Sequence, residues 1–159
     1  MMIKDHLVDV ERVRDPIKDF NKLRLHASER NKKFSEELFA KFKESLTQQD
    51  VLFYPNLHHL YKKLASFYNL DQDNILIGDG SDRILKYVFE TYADEMTEII
   101  STDFCFPMYR VYSKLYNCKF REVTYSKDLT VDIDGIIEVV NEPSNTKKIV
   151  MLSNPNSPV

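Results

Sequence analysis

From Ile75 to Leu152 short apolar runs alternate with stretches of helical periodicity, and this alternation constrains the fold more than any other feature of the chain. Ile75-Leu76-Ile77, Glu98-Ile99-Ile100-Ser101, the run from Lys119 to Thr124 and the run from Lys148 to Leu152 have the length and apolar density of buried strands. Between them lie three helical stretches: Ser81 to Tyr92, with Ile84, Leu85, Val88 and Phe89 on one face; Met108 to Tyr112; and Val131 to Val140. Strands separated by helices predict an α/β fold with a mostly parallel sheet, because parallel neighbours need a long crossover that a helix supplies.

The front of the chain reads differently. Ser35 offers a helix N-cap followed by Glu36 and Glu37, and Leu38, Phe42 and Leu46 then fall at helical spacing, which predicts a helix with one buried face. A second helix is expected from Leu57 to Tyr68 after the break at Pro55, its apolar stripe calling for a partner surface. Residues 1–33 are charged, weakly patterned and interrupted by Pro16, as in an arm. The expected division therefore falls near residue 70, between an arm with a helical segment (1–70) and the first part of an α/β domain (71–159).

Composition removes several function classes. With 22 basic and 25 acidic residues the net charge is -3, which provides no field for nucleic acid or for an anionic membrane. No apolar run approaches the length of a bilayer span, and no apolar segment follows a basic start. The 2 cysteines, Cys105 and Cys118, lie in neither a metal-ligand spacing nor a disulfide framework. Neither nucleic acid nor a membrane is expected as a partner, and a reducing cytoplasm is the expected location.

Chemistry concentrates in four places. Gly78-Asp79-Gly80-Ser81-Asp82 stands where a strand would turn into a helix, so its backbone can approach a ligand while the first helical amides point outward at a phosphate. The bland alternative is an ordinary Gly-Ser helix cap. Asp103-Phe104-Cys105-Phe106-Pro107 leaves a strand at the carboxyl edge of the sheet, where ligands of open α/β sheets collect; its aromatics suit either a planar ring or the core. Ser153-Asn154-Pro155-Asn156-Ser157-Pro158 leaves another strand at that edge and offers amides and hydroxyls, or is simply a turn. Tyr54, extended before Pro55, has a hydroxyl that could reach a ligand or a second subunit, or packs within its loop. His58 and His59 lack partners at metal spacing, and Ser81 lacks a matched histidine and acid for a hydrolase triad.

In this order, Tyr54-Pro55, Gly78-Asp79-Gly80-Ser81-Asp82-Arg83-Ile84-Leu85, Phe106-Pro107-Met108-Tyr109 and Asn154-Pro155-Asn156-Ser157-Pro158 resemble the class I/II aminotransferases of PLP fold type I, nearest to the histidinol-phosphate aminotransferase group. The resemblance runs over residues 50–159, and Leu25 to Asn31 is loosely similar to the family's N-terminal segment.

The resemblance implies pyridoxal 5'-phosphate as cofactor. Gly80, Ser81 and Asp82 would hold its phosphate, Phe106 would stack on its ring, and Tyr54 would reach the cofactor of a neighbouring subunit in a homodimer. The family's asparagine at the phenolic oxygen corresponds to Ser157, with Asn156 one residue earlier. The Schiff-base lysine, the acid at the ring nitrogen and the substrate arginines belong to later sequence, so the resemblance implies no catalytic residue here, an inactive stretch on its own, and an N-terminal piece of the enzyme. A sheet ending after three or four strands would also leave an open edge, which agrees with a truncated piece. The implied reaction moves an amino group from an amino acid or amino-alcohol phosphate to a 2-oxo acid. The alternatives are a PLP-dependent decarboxylase of the same fold, a non-catalytic dimerising module that binds a phosphorylated ligand, and a small α/β protein for another phosphorylated ligand.

Overall fold

A computed structural model of the chain describes residues 4–8, 10, 30 and 32–157. The chain divides into two compact units, one of Arg14–Leu76 and one of Ile77–Val159 together with Met1–Val13. Most of the arm expected over residues 1–33, and of the segment from Leu25 to Asn31, lies outside the described residues.

In the unit Arg14–Leu76, helix α1 (Glu36–Ser45) begins where the Ser35 hydroxyl accepts the Leu38 N–H at 3.2 Å, with Glu36 and Glu37 in the first turn. These carboxylates sit at the positive end of the helix dipole. A short helix that periodicity could not reveal, α2 (Gln48–Leu52), is started by a reciprocal cap: Thr47 N–H donates to the Asp50 carboxylate at 2.8 Å and Asp50 N–H donates to the Thr47 hydroxyl at 3.3 Å. Helix α3 (His58–Tyr68) stops at Asn69, whose φ of 53° lies in the left-handed region that asparagine tolerates.

The expected buried face of α1 is open. Leu38, Phe42 and Leu46 are exposed, and Phe34, Leu38, Phe39 and Phe42 line a shallow apolar groove of about 290 Å³. The stripe of α3 is also largely open, with Ala65 its one buried residue. The reason is architectural: the substantial helix packing in this unit joins α3 to the single turn Gln72–Asn74, so among the described residues α1 has no layer beneath it.

The other unit carries helices α4 (Ser81–Tyr92), α5 (Met108–Leu115) and α6 (Ile133–Asn141), and strands β1 (Thr97–Thr102), β2 (Lys119–Val123) and β3 (Lys147–Val150). The sheet runs β2-β1-β3 and both pairings are parallel, with Ile99 opposite Phe120 on one side and Ile149 on the other. Strand β1 is central, and successive residues serve opposite cores. Ile99 packs with Phe89 of α4 and with Tyr109 and Tyr112 of α5, while Ile100 packs with Val123 and with Ile136 of α6. The result is an α/β layer structure with helices on both faces of a parallel sheet.

Three hydroxyl residues are buried in β1, and two of them, Thr97 and Ser101, are fully buried and satisfied in place. Thr97 donates to the Asp94 carboxylate at 2.7 Å, and Ser101 donates to the Met151 carbonyl at 2.7 Å, which ties β1 to the chain leaving β3. The expected strand at Ile75-Leu76-Ile77 does not form. Ile75 is extended, the triplet is not one of the three strands of the sheet, and Leu76 is exposed. The run is confined between the turn Gln72–Asn74 and Gly78, which leaves it only three residues long.

Helix α6 ends on a cation. Lys148 Nζ donates to the carbonyls of Val139 at 2.7 Å, Val140 at 3.0 Å and Glu142 at 2.7 Å, so one ammonium satisfies the orphan carbonyls at the negative end of the helix. Lys148→Met keeps the aliphatic stem and removes these bonds; it is expected to lower stability by about 1–2 kcal/mol, read as a lower urea midpoint.

Candidate functional site

The three strands point their carboxyl ends the same way, and the loops that leave them meet there. The crossover after β1 leads to α5 on one face and that after β2 leads to α6 on the other, which opens a crevice at the carboxyl edge. A cavity of about 450 Å³ lies in it, lined by Thr102, Tyr125, Leu129 and the segment from Leu152 to Asn156.

The loops are laced by specific bonds. Asn156 Nδ2 donates to the Phe104 carbonyl at 2.5 Å and to the Tyr125 hydroxyl at 2.9 Å, joining the loops of all three strands. Both N–H donors of this amide are thereby engaged. Tyr109 and Ser153 share a hydroxyl–hydroxyl bond of 3.2 Å. Asp103 Oδ1 accepts from Phe104 N–H at 3.0 Å and from Tyr125 N–H at 3.1 Å. Arg110 Nη2 donates to the Asp103 carbonyl at 2.6 Å, and the guanidinium is paired with the Glu122 carboxylate and lies over the Phe120 ring at 5.5 Å. Phe106 stands just before α5, its ring edge-on to Tyr109 at 5.9 Å and its outer surface exposed. Ser157 is exposed at the end of the β3 loop.

The glycine turn opens α4. Gly80 is the N-cap with φ 93° and ψ 166°, a conformation reserved for glycine, and it brings no side chain to cap the first amides. A Cβ at Gly80 would meet nothing within 4 Å, so the space in front of the turn is open. Ser81 is exposed beside it, and among the described residues its hydroxyl has no protein partner. A positive dipole end, a glycine N-cap that brings no side-chain cap and an open approach suit an anion such as a phosphate. Arg83 donates to Asp79 at 3.1 Å across the turn, and this bond holds the Asp79 carboxyl below its ordinary pKa.

Tyr112 of α5 ties this turn to the aromatic loop. Its hydroxyl lies 2.9 Å from Asp82 Oδ1 and 3.1 Å from the Asp82 carbonyl, so the helix that follows Phe106 is bonded to the first turn of α4. Asp82 is thus bonded to the helix that follows Phe106, while Asn156 is bonded separately to the Phe104 carbonyl of the loop that carries Phe106. Tyr54 belongs to the other unit, where its side chain is fully exposed. Arg110 and Tyr112 cannot be told from sequence because they sit within the helical pattern of α5, and Tyr125 because it lies in the loop after β2 outside any motif; the one available signal is a tyrosine three residues after Tyr109 on the buried stripe of α5.

Other chemistries find little support here. Burial pushes the Cys105 and Cys118 thiols up, away from thiolate reactivity. Among the described residues no group of three or more His, Cys, Asp or Glu is placed to hold a metal, and no helix is long and apolar enough to cross a membrane.

Comparison with known proteins gives a consistent result. The profile of the aminotransferase class I and II family matches residues 21–159. The histidinol-phosphate aminotransferase of Clostridium novyi is 30% identical over 159 residues, covering 93% of this chain and 44% of that protein. That of Methanocaldococcus jannaschii is 33% identical over 100 residues, covering 62% of this chain and 26% of its own length. This chain therefore spans less than half the length of these curated relatives. The crystal structure of histidinol-phosphate aminotransferase from Sinorhizobium meliloti in complex with pyridoxal-5'-phosphate superposes with a TM-score of 0.67 at 20% identity, over 79% of this chain and 33% of that one.

Proposed function

Because the chain belongs to the class I and II aminotransferase family, we propose that it is the cofactor-holding front part of a pyridoxal 5'-phosphate-dependent aminotransferase. Its reaction moves an amino group from an amino acid, or from an amino-alcohol phosphate resembling histidinol phosphate, to a 2-oxo acid. The observation that carries this reading is the Gly80-Ser81 turn, without a side-chain cap and open at the positive end of α4 and bonded through Tyr112 to the helix that follows Phe106. Relatives that carry the histidinol-phosphate name support the substrate class.

When bound, pyridoxal phosphate supplies an electron-accepting ring that takes up the charge left as a substrate bond to Cα breaks. The residues of this chain bind and orient. The amides of Gly80, Ser81 and Asp82 and the Ser81 hydroxyl hold the phosphate, and Phe106 offers a ring face beside it. Ser157, whose hydroxyl is exposed, is the better donor to a ring oxygen, because Asn156 has both N–H groups engaged. The exposed Tyr54 suits a homodimer in which it reaches the neighbouring subunit's cofactor. A cytoplasmic location agrees with two free thiols.

Ser81→Ala in the protein at its natural length tests the reading. Losing a hydrogen bond to a charged group costs about 1.5 kcal/mol or somewhat more, so retention of pyridoxal phosphate in equilibrium dialysis is expected to fall roughly tenfold. Retention equal to that of the parent would remove the turn from the cofactor site.

A further inference from the structure

Asp82 poses an electrostatic problem for the phosphate reading of the α4 turn. Its carboxylate stands in the first turn of the helix, between Ser81 and Arg83, where a phosphate dianion would also sit. A carboxylate there is favoured by the helix dipole in an empty turn, but it repels a second anion brought to the same amides. A turn that binds phosphate must keep this side chain aside.

The structure has a device for that. The Tyr112 hydroxyl lies 2.9 Å from Asp82 Oδ1 and 3.1 Å from the Asp82 carbonyl, within reach of both acceptors. Tyr112 is itself a core residue, 7% exposed, with its ring 5.6 Å from that of Phe89. Its hydroxyl is therefore fixed by packing on β1 and α4 rather than by the bond to Asp82, so the core dictates where the carboxylate goes. We propose that Tyr112 is a positioning residue which holds the Asp82 carboxylate against α5 and so keeps the first turn of α4 open to a dianionic phosphate, a role that rests on the phosphate reading of that turn.

A tyrosine hydroxyl that merely satisfies a core helix would act on stability alone. A tyrosine that restrains a carboxylate acts on phosphate-bearing ligands, and its loss is curable by removing the charge. The experiment compares pyridoxal phosphate with pyridoxal, which lacks the phosphate, by equilibrium dialysis against the protein at its natural length. Tyr112→Phe keeps the ring in the core and removes the hydroxyl. It is expected to raise the Kd of pyridoxal phosphate about tenfold, the loss of one hydrogen bond to a charged group, and to leave that of pyridoxal within about twofold. Adding Asp82→Asn to Tyr112→Phe is expected to return the pyridoxal phosphate Kd to within about threefold of the parent, because an amide has no charge to repel the phosphate. In the parent background Asp82→Asn is expected to tighten pyridoxal phosphate far less than it does in Tyr112→Phe, since Tyr112 already restrains the carboxylate.

An equal loss for both ligands in Tyr112→Phe overturns the proposal, as does failure of Asp82→Asn to restore binding. Should Tyr112→Phe fold poorly, Asp82→Asn alone still decides: tightening of about tenfold would mean that the carboxylate opposes phosphate in the parent and that Tyr112 does not restrain it. A parent that binds pyridoxal phosphate no more tightly than pyridoxal would instead sink the phosphate reading of the turn, an outcome visible before any variant is made.

Discussion

Phe89→Ala is expected to destabilise the protein by about 3–5 kcal/mol, the range for truncating a well-packed core aromatic. Phe89 is 1% exposed and belongs to the cluster of Ile99, Cys105, Tyr109, Tyr112 and Met151, with its ring 5.6 Å from Tyr112 and 6.2 Å from Tyr116. Its neighbours are aromatic side chains and a strand buried on both faces, none of which can move far enough to fill the space. Urea denaturation should show a lower midpoint at nearly unchanged slope. A loss below about 1 kcal/mol would mean that α4 is not packed on the sheet as described. Phe89 also links core to site, because α4 carries the glycine turn at its other end and Tyr112 touches both. A variant loosened there is therefore expected to hold pyridoxal phosphate less tightly as well.

The α/β body was legible because its two periods are unmixed. Ile99 and Ile100 sit side by side in an apolar run because β1 is covered on both faces, and the stripe of Leu85 and Phe89 reads as a helix because only one side of α4 meets the sheet. The front of the chain was less legible for the opposite reason. Ser35 and the two glutamates mark the start of α1 correctly, but the spacing of Leu38, Phe42 and Leu46 reports only that a helix has an apolar face, not that a partner is present to cover it. The triplet Ile75-Leu76-Ile77 shows the limit of a short apolar run: it has the composition of a strand, yet a strand exists only where a neighbour offers a ladder. Helix α2 escaped notice because five residues are too few to display a period, and its cap, Thr47 with Asp50, is a pattern common in loops.

Within the candidate site, glycines could be read and clamps could not. Gly78 and Gly80 announce a turn in a chain with 3 glycines in all, and Gly80 supplies its left-handed backbone. Tyr112 announces nothing, since a tyrosine on a helical stripe is ordinary core until its hydroxyl is seen beside Asp82. The same holds for Tyr125, whose meeting with Asn156 spans a sequence separation of 31 residues. Motif order identified the turn, the aromatic loop and the asparagine loop separately; their mutual bonding depends on side chains that no short motif contains.

Gly80→Ala is expected to do the most damage to the site with the least change in volume. At φ 93° and ψ 166° a Cβ is strained by its own backbone, although nothing else lies within 4 Å of it, so the penalty is conformational rather than one of crowding. Keeping the turn would cost about 1–3 kcal/mol of stability. Relaxing to negative φ would instead swing the first amides of α4 away from a common ligand, and pyridoxal phosphate retention should then fall by more than the roughly tenfold expected for losing the single Ser81 hydroxyl. Gly78→Ala is the control. Its Cβ would come within 2.7 Å of Ile84 Cδ1, the far end of a flexible side chain, and its φ lies outside the left-handed range. That variant is expected to lose less than Gly80→Ala in both urea midpoint and cofactor retention. Equal losses would mean that the turn is held by packing against Ile84, and that the left-handed backbone at Gly80 is not what keeps the amides together.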